Sequence, residues 1–290
     1  MTDGRYLTQT IALNTTYQLP VEGYGTWLTP NDQAATGVHQ AIKDGYRLID
    51  TAHDYGNEQG VGEGIHRAMD ELGLKREDLF ITTKVDADIM TAEQTAASVD
   101  ESLNKLGVDY VDLILIHAPR PWKYMDATPG PDGDHFYEKN RIVWAQLEQS
   151  ERLNYTHSIG LSQFSVDDME HLTKHATLPP AVLQTEAYAG NLPRGLMAYC
   201  QEHHIAIQAF CPLGHGRILD DPTLRQVAAH YGTGTAQVCL KYLIQHGFSV
   251  IPKSLDPAHI EADTKLDFTI TDADMHSLDE LDLSHALDGL

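Results

Sequence analysis

Cysteine is scarce in this chain. Its 290 residues hold three, Cys200, Cys211 and Cys239, an odd number without the CxxC spacing of a zinc ribbon. A disulfide framework and a cysteine metal site are therefore not expected, and no metal is called for; a reducing, cytoplasmic setting is the natural expectation. Basic residues are few as well: 20 Lys and Arg face 42 Asp and Glu, a formal charge of −22. A field of that sign repels nucleic acid and anionic membranes, so neither is expected as a partner. It equally repels phosphorylated cofactors, so a phosphate site must be built locally from a few cations and amides. No apolar run approaches the roughly 18 residues needed to cross a bilayer. The opening Met1-Thr-Asp-Gly-Arg-Tyr6 carries no basic stretch followed by an apolar one, so no signal peptide is expected. Histidine, by contrast, is abundant at sixteen, and protonation near roughly pH 6 would trim the negative charge.

What is present is an alternation. A hairpin is expected at 9–19, two short apolar pieces around Asn14-Thr15-Thr16. Strands are then expected at 22–27, 46–50, 79–85, 111–117, 156–161, 181–186, 205–210 and 248–252. Helices are expected at 31–44, 58–72, 91–106, 137–152, 166–175, 194–203, 221–230 and 235–246, with another from Asp256. Apolar runs such as Asp112–Ile116 suit strands covered on both faces, as in a parallel sheet. Eight such units in roughly 250 residues make a single α/β domain, a (β/α)8 TIM barrel. The whole chain, 1–290, reads as that one domain: hairpin about 9–19, barrel about 22–264, C-terminal segment about 265–290. An open doubly wound sheet is the alternative, but it would carry GxGxxG after its first strand. Gly60-Val-Gly62-Glu-Gly64 has the wrong spacing and opens a helix, so those glycines are expected to serve close packing. Between 119 and 135 lies an unusually irregular loop.

Four chemically capable side chains stand at or just beyond consecutive strand ends: Asp50 and Tyr55, then Lys84, then His117. In a barrel, such ends converge on one mouth. A phenol has a pKa near 10, too high for efficient proton transfer at neutral pH; an ammonium beside it is expected to lower that value. Lys84 would then need Asp50 as countercharge, and His117 can hydrogen-bond a carbonyl oxygen. The set can protonate an oxygen as it becomes an alkoxide. It contains no obvious nucleophile, which argues against hydrolysis. Structural alternatives for each remain: a core ion pair, a surface tyrosine, a hydrogen-bonded core histidine.

The pieces Gly23-Tyr-Gly-Thr-Trp27, Gly45–Gly64, Ile81-Thr-Thr-Lys84, Asp112–His117, Ser158-Ile-Gly-Leu-Ser162, Pro212-Leu-Gly214 and Val250-Ile-Pro-Lys-Ser254 together resemble the aldo-keto reductases. The resemblance runs from the hairpin to about residue 283 and is strongest to bacterial 2,5-diketo-D-gluconate-reductase-like members. It implies a barrel closed at its base by the hairpin and an NADPH cofactor, with NADH use allowed. It also implies reduction of an aldehyde or ketone to an alcohol by hydride transfer, with Tyr55 as proton donor. Asp50, Tyr55, Lys84 and His117 match the family's catalytic tetrad. Gly25, Thr26, Asp50, Ser162, Gln163, Gln184, Phe210, Cys211, Leu213, Lys253, Ser254, His259 and Asp263 fall at its cofactor positions.

Several of those positions depart from the family. Gln163 replaces an asparagine, Phe210 an aromatic with a polar handle, and Cys211 a serine. At the adenosine end His259 stands where the family has an arginine, and Ala262 and Asp263 where it has Glu and Asn. A neutral histidine lacks the bidentate fork that grips a phosphate, so the NADPH preference is expected to be weakened. Trp27, Asp54, Tyr55, His117 and Trp122 are expected to frame the substrate pocket, with Ala118 leaving out an aromatic wall. Of His53 and Asp54, strand-like alternation lets only one face the pocket, and Asp54 is the expected one. The substrate range is a small or medium aldehyde, keto ester, diketone or keto-sugar, and family members of this type are commonly monomers. Two other readings fit the sequence: a cofactor-binding regulatory barrel subunit, and a lyase or isomerase using a Lys84 Schiff base.

Overall fold

The computed structural model describes residues 7–125, Gly130 and 133–287. Expectations for 1–6, for 126–129 and 131–132 inside the irregular loop, and for 288–290 lie outside the described residues. Strands β1 (Thr10–Ala12) and β2 (Gln18–Pro20) form an antiparallel hairpin in which Ile11 faces Leu19. The alternation follows as β3 (Gly23–Gly25), α1 (Asn31–Lys43), β4 (Leu48–Asp50), α2 (Glu58–Leu72), β5 (Phe80–Val85) and α3 (Ala92–Leu106). It continues as β6 (Val111–Ile116), α4 (Tyr137–Arg152), β7 (Thr156–Ser162), α5 (Val166–Thr173), β8 (Val182–Glu186) and α6 (Arg194–Glu202). The chain then runs through β9 (Ala206–Phe210), α7 (Pro222–Tyr231), α8 (Thr235–Gln245), β10 (Ser249–Val250), α9 (Pro257–Asp263) and α10 (Asp272–Asp279).

Strands β3 to β10 pair in sequence order, each parallel to the next. The ring closes where Glu22 bridges Val250 and Gly25 N–H donates to the Pro252 carbonyl at 2.9 Å. This is the expected (β/α)8 barrel. All six residues of β6 are buried, as its unbroken apolar run demands of a strand with helices outside and side chains inside. The barrel interior is filled by Leu48, Phe80, Leu113, Leu115, Val182, Ala206 and Ile251. Leu13 and Leu19 join that cluster from the hairpin, and Asn14 donates to the Pro180 carbonyl at 2.8 Å. The hairpin thus plugs the end of the barrel where strands begin; burying a leucine there is worth roughly 2 kcal/mol.

The glycines of α2 are packing positions. A Cβ on Gly60 would sit 2.1 Å from the Asn31 carbonyl oxygen, on Gly62 2.5 Å from that of Leu106, and on Gly64 2.6 Å from that of Ala35. They let α2 lie against the start of α1 and the end of α3, and no phosphate loop is built from them.

Some boundaries differ from expectation. The first barrel strand stops at Gly25 because Thr26 turns back, its N–H and hydroxyl both bonding the Asp50 carbonyl, at 3.1 and 2.9 Å. The helix from Asp256 is two: α9 ends at Asp263, and α10 starts anew on the Thr271 cap. The loop after β6 contains a short 3-10 turn, Trp122–Tyr124. The stretch after β4 is also a 3-10 turn, His53–Tyr55, ending on left-handed Gly56, so strand-like alternation does not apply there. Among the described residues no helix is long and apolar enough to cross a membrane.

Candidate active site

Asp50 is the last residue of β4, Lys84 lies near the end of β5, and His117 follows β6. All three are buried. Lys84 Nζ donates to Asp50 Oδ1 at 2.6 Å and to the Thr51 carbonyl at 2.8 Å, and it lies 3.4 Å from the Tyr55 hydroxyl. The turn His53–Tyr55 brings the phenol over Lys84 and sets its ring edge-on to the His117 imidazole, 5.4 Å between centroids. Asp50, Tyr55, Lys84 and His117 are therefore one contiguous group at the strands' carboxyl ends.

The electrostatics of that group differ from the sequence-based expectation. Burial pushes the Tyr55 phenol well up, and the charges of Asp50 and Asp54 push it the same way. Lys84 does not reverse this, because its nearest partner is Asp50, whose carboxylate cancels the ammonium's field. The phenol is thus held in its neutral, proton-bearing form. Burial lowers the pKa of His117, as does Lys84, while Asp54 and Asp50 oppose them.

Asp54 and His53 point to different places. His53 reaches outward to Glu101 at 3.2 Å, whereas Asp54 Oδ1 lies 2.8 Å from His117 Nδ1. The other carboxylate oxygen of Asp54 accepts from the Trp122 indole N–H at 3.0 Å. The Trp122 ring stands edge-on to His117, centroids 4.9 Å apart.

A polar chain crosses the barrel behind this group. The Gln184 amide donates to Asp50 Oδ2 and to Gln208 Oε1, both at 2.8 Å. Gln208 donates to Ser249 Oγ at 3.1 Å, which in turn donates to the Pro20 carbonyl at 2.8 Å. Gln208 and Ser249 are members that the sequence reading missed. Their signal was polarity inside apolar strands: Gln208 within Ala206–Phe210 and Ser249 within Phe248–Ile251.

Residues 22–283 match the description "Aldo/keto reductase family". The chain belongs to that family. It is 38% identical over 299 residues to the NAD(P)H-dependent D-xylose reductase I,II of Candida tropicalis, covering 94% of this chain and 92% of the relative. It is 37% identical over 277 residues to the glyoxal reductase of Bacillus subtilis, covering 95% and 93%. The crystal structure of a Bombyx mori aldo-keto reductase in complex with NADP superposes with a TM-score of 0.86 at 32% identity, covering 97% of this chain and 95% of that one. This aldo/keto reductase is accordingly an oxidoreductase, and the sequence resemblance is secured at the level of the family.

Along the rest of the barrel mouth of this reductase, Ser162 ends β7 with a buried hydroxyl that has no hydrogen-bond partner among the described residues. Gln163 follows in a left-handed conformation, φ 61°, its amide donating to the His117 carbonyl at 3.3 Å. Phe210 is half-buried at the end of β9. Cys211 is half-buried with its sulfur 3.2 Å from His215 Nε2, and burial raises its thiol to about 12. Leu213 packs against the outer core. Gly25 faces the Ile251 carbonyl, which a Cβ would meet at 2.9 Å. Trp27 is exposed and stands edge-on to His215, centroids 5.5 Å apart.

The adenosine-end residues differ in exposure. Lys253 is exposed, and the Ser254 carbonyl accepts from the buried Tyr24 hydroxyl at 2.6 Å. His259 is exposed, 4.0 Å from Asp256. Asp263 lies within electrostatic reach of His259, and its carboxylate turns inward: it is buried and accepts from the Gln237 amide at 3.2 Å. Two open depressions of about 850 and 680 Å³ lie elsewhere, between the outer faces of α2 and α3, lined by charged residues such as Glu63, Arg67 and Lys105. Neither touches the tetrad, and their openness and charge make them surface grooves.

Proposed function

We propose that this reductase converts aldehydes or ketones to alcohols with NADPH, NADH serving as a usable second donor, and that Tyr55 gives the proton. The observation that carries the reading is a phenol kept protonated by burial, within 3.4 Å of Lys84 and beside His117. A group that must donate a proton to an alkoxide has to hold that proton at neutral pH. Lys84 and Asp50 hold the phenol's surroundings fixed as a charge-balanced pair, and His117 orients the carbonyl oxygen toward Tyr55.

When bound, a nicotinamide cofactor supplies the hydride that the carbonyl carbon takes. The residues fit it: the partnerless buried hydroxyl of Ser162 and the adjacent amides of Gln163 and Gln184 complement a carboxamide, and Phe210 offers a π-face. Gly25 and Thr26 line the same mouth through their backbone, and Cys211 and Leu213 contribute backbone amides toward phosphate. Lys253, Ser254 and His259 form the grip at the adenosine end. Trp27, Asp54 and Trp122 frame the carbonyl's side.

A small polar carbonyl, such as an aldose, a keto-sugar, a diketone or a keto ester, is the substrate class; relatives named for D-xylose and glyoxal reduction support that range. Closer kinship to 2,5-diketo-D-gluconate-reductase-like members, a monomeric single domain over 1–290 and a cytoplasmic location complete the proposal, the last supported by three free thiols. Schiff-base chemistry is disfavoured, since Lys84 is buried and paired with a carboxylate at 2.6 Å. The test follows NADPH oxidation with a panel of small carbonyls in wild type and Tyr55→Phe. Turnover that falls by roughly 10²–10⁴ in the variant supports the assignment; no turnover of any carbonyl, or an unimpaired variant, refutes it.

A further inference from the structure

We infer that Asp54 is a positioning residue, whose carboxylate keeps a proton on His117 Nδ1 so that the imidazolium is the form that meets the carbonyl oxygen. The inference rests on the carbonyl-reductase reading and deepens it. A carboxylate only accepts hydrogen bonds, so a ring nitrogen 2.8 Å from Asp54 Oδ1 has to carry a proton. The approach is not yet aligned as a hydrogen bond, and Nδ1 has no other partner among the described residues; such catalytic contacts commonly tighten only when substrate binds. With the proton on Nδ1, Nε2 of a neutral ring is an acceptor, unable to donate to a carbonyl. It donates only when both nitrogens are protonated.

The groups around His117 give the charge balance. Asp54 and Tyr55 face it from the 3-10 turn, Asp50 from β4, Lys84 from β5 and Trp122 from the loop after β6, while the Gln163 amide holds its carbonyl. Burial and Lys84 oppose the cation and prevail, leaving the His117 pKa below its usual value; Asp54 is the anion in direct contact that limits this fall, with Asp50 behind it. Both oxygens of Asp54 are committed, one to His117 and one to the Trp122 indole. The Trp122 backbone N–H is tied in turn to Asp88 at 3.2 Å. Asp54 is therefore buttressed against rotation by contacts on both oxygens.

The test uses the full-length protein and long-range proton–nitrogen NMR of its histidines. In wild type, the His117 signal is expected to show the Nδ1–H tautomer at high pH. Asp54→Asn should lower the His117 titration midpoint by about one unit or more, as expected for loss of a contacting opposite charge, whereas Trp122→Phe should leave it in place. In parallel, the pH profile of kcat/KM for DL-glyceraldehyde with NADPH should shift its alkaline limb by the same amount in Asp54→Asn, with KM for NADPH unchanged. An Nε2–H tautomer in wild type, a midpoint unmoved by Asp54→Asn, or an unmoved limb overturns the inference. A wild type that reduces no carbonyl sinks the reductase reading instead, and the NMR still decides what Asp54 does to His117.

Discussion

The Lys84 ammonium meets the Asp50 carboxylate at 2.6 Å with 0% and 3% of the two side chains exposed, and Gln184 occupies the carboxylate's second oxygen. Neither charge has water to fall back on. Removing one partner leaves the other buried and uncompensated, which costs about 3–5 kcal/mol.

Lys84→Met is therefore expected to lower unfolding stability by about that amount, and Asp50→Asn with Lys84→Met to recover most of it. Both variants should be inactive as reductases, because neither keeps the Lys84 amine within reach of the Tyr55 hydroxyl. Urea unfolding and NADPH-dependent turnover measured on the same preparations check this. A single variant as stable as wild type would mean the pair is solvated in solution.

Much of the barrel was legible because its signals are local and repetitive: apolar runs such as Val111–Ile116 alternate with helical stretches along the chain. Asp50, Lys84 and His117 were legible as strand-end residues of the same architecture, and the structure brings them together with Tyr55. What escaped was set by long-range contact. Asp263 turns inward because Gln237, from α8, offers an amide there, a pairing across 26 positions that no local pattern encodes. The upward shift of the Tyr55 phenol escaped too, since it depends on burial and on Asp50 neutralising Lys84. Gln208 was overlooked because one glutamine in an apolar strand reads as noise until Gln184 lies beside it.

Gln163 occupies a left-handed conformation that an asparagine tolerates better. Gln163→Asn is expected to raise stability by about 0.5 kcal/mol, while the shorter side chain loses its reach to the His117 carbonyl. Thermal unfolding and KM for NADPH separate the two effects. A lower melting temperature in the variant would show that the contact to His117 outweighs the backbone strain.

His259 stands exposed beside Asp256, 72% of its side chain open to solvent, and a neutral imidazole offers phosphate no permanent charge. Wild type is expected to prefer NADPH over NADH by less than about a thousandfold in kcat/KM, roughly 4 kcal/mol. His259→Arg should raise kcat/KM for NADPH about tenfold, since a charge-assisted hydrogen bond is worth about 1.5–3 kcal/mol, and leave NADH nearly unchanged. Equal gains with both cofactors would show that position 259 does not meet the 2′-phosphate.

Asp263 should make the protein pH-sensitive in a direction opposite to the usual carboxylate. Burial raises its pKa to about 6 in the folded state, against about 3.9 for an unfolded aspartate. A folded value above the unfolded one means that the folded state binds the proton more tightly. The stability it confers is complete below about pH 4 and is lost as pH rises toward 6; the difference of about 2 units amounts to about 3 kcal/mol. Glu22, also buried and also shifted upward, is repelled by the same charge. Asp263→Asn keeps an oxygen for the Gln237 amide and removes the buried anion. The variant should therefore be more stable than wild type by about 2–3 kcal/mol at pH 7.5 and gain little at pH 4. Urea midpoints of the two proteins at both pH values check this, and an equal or negative gain at pH 7.5 would show that the Asp263 charge is compensated in the folded protein.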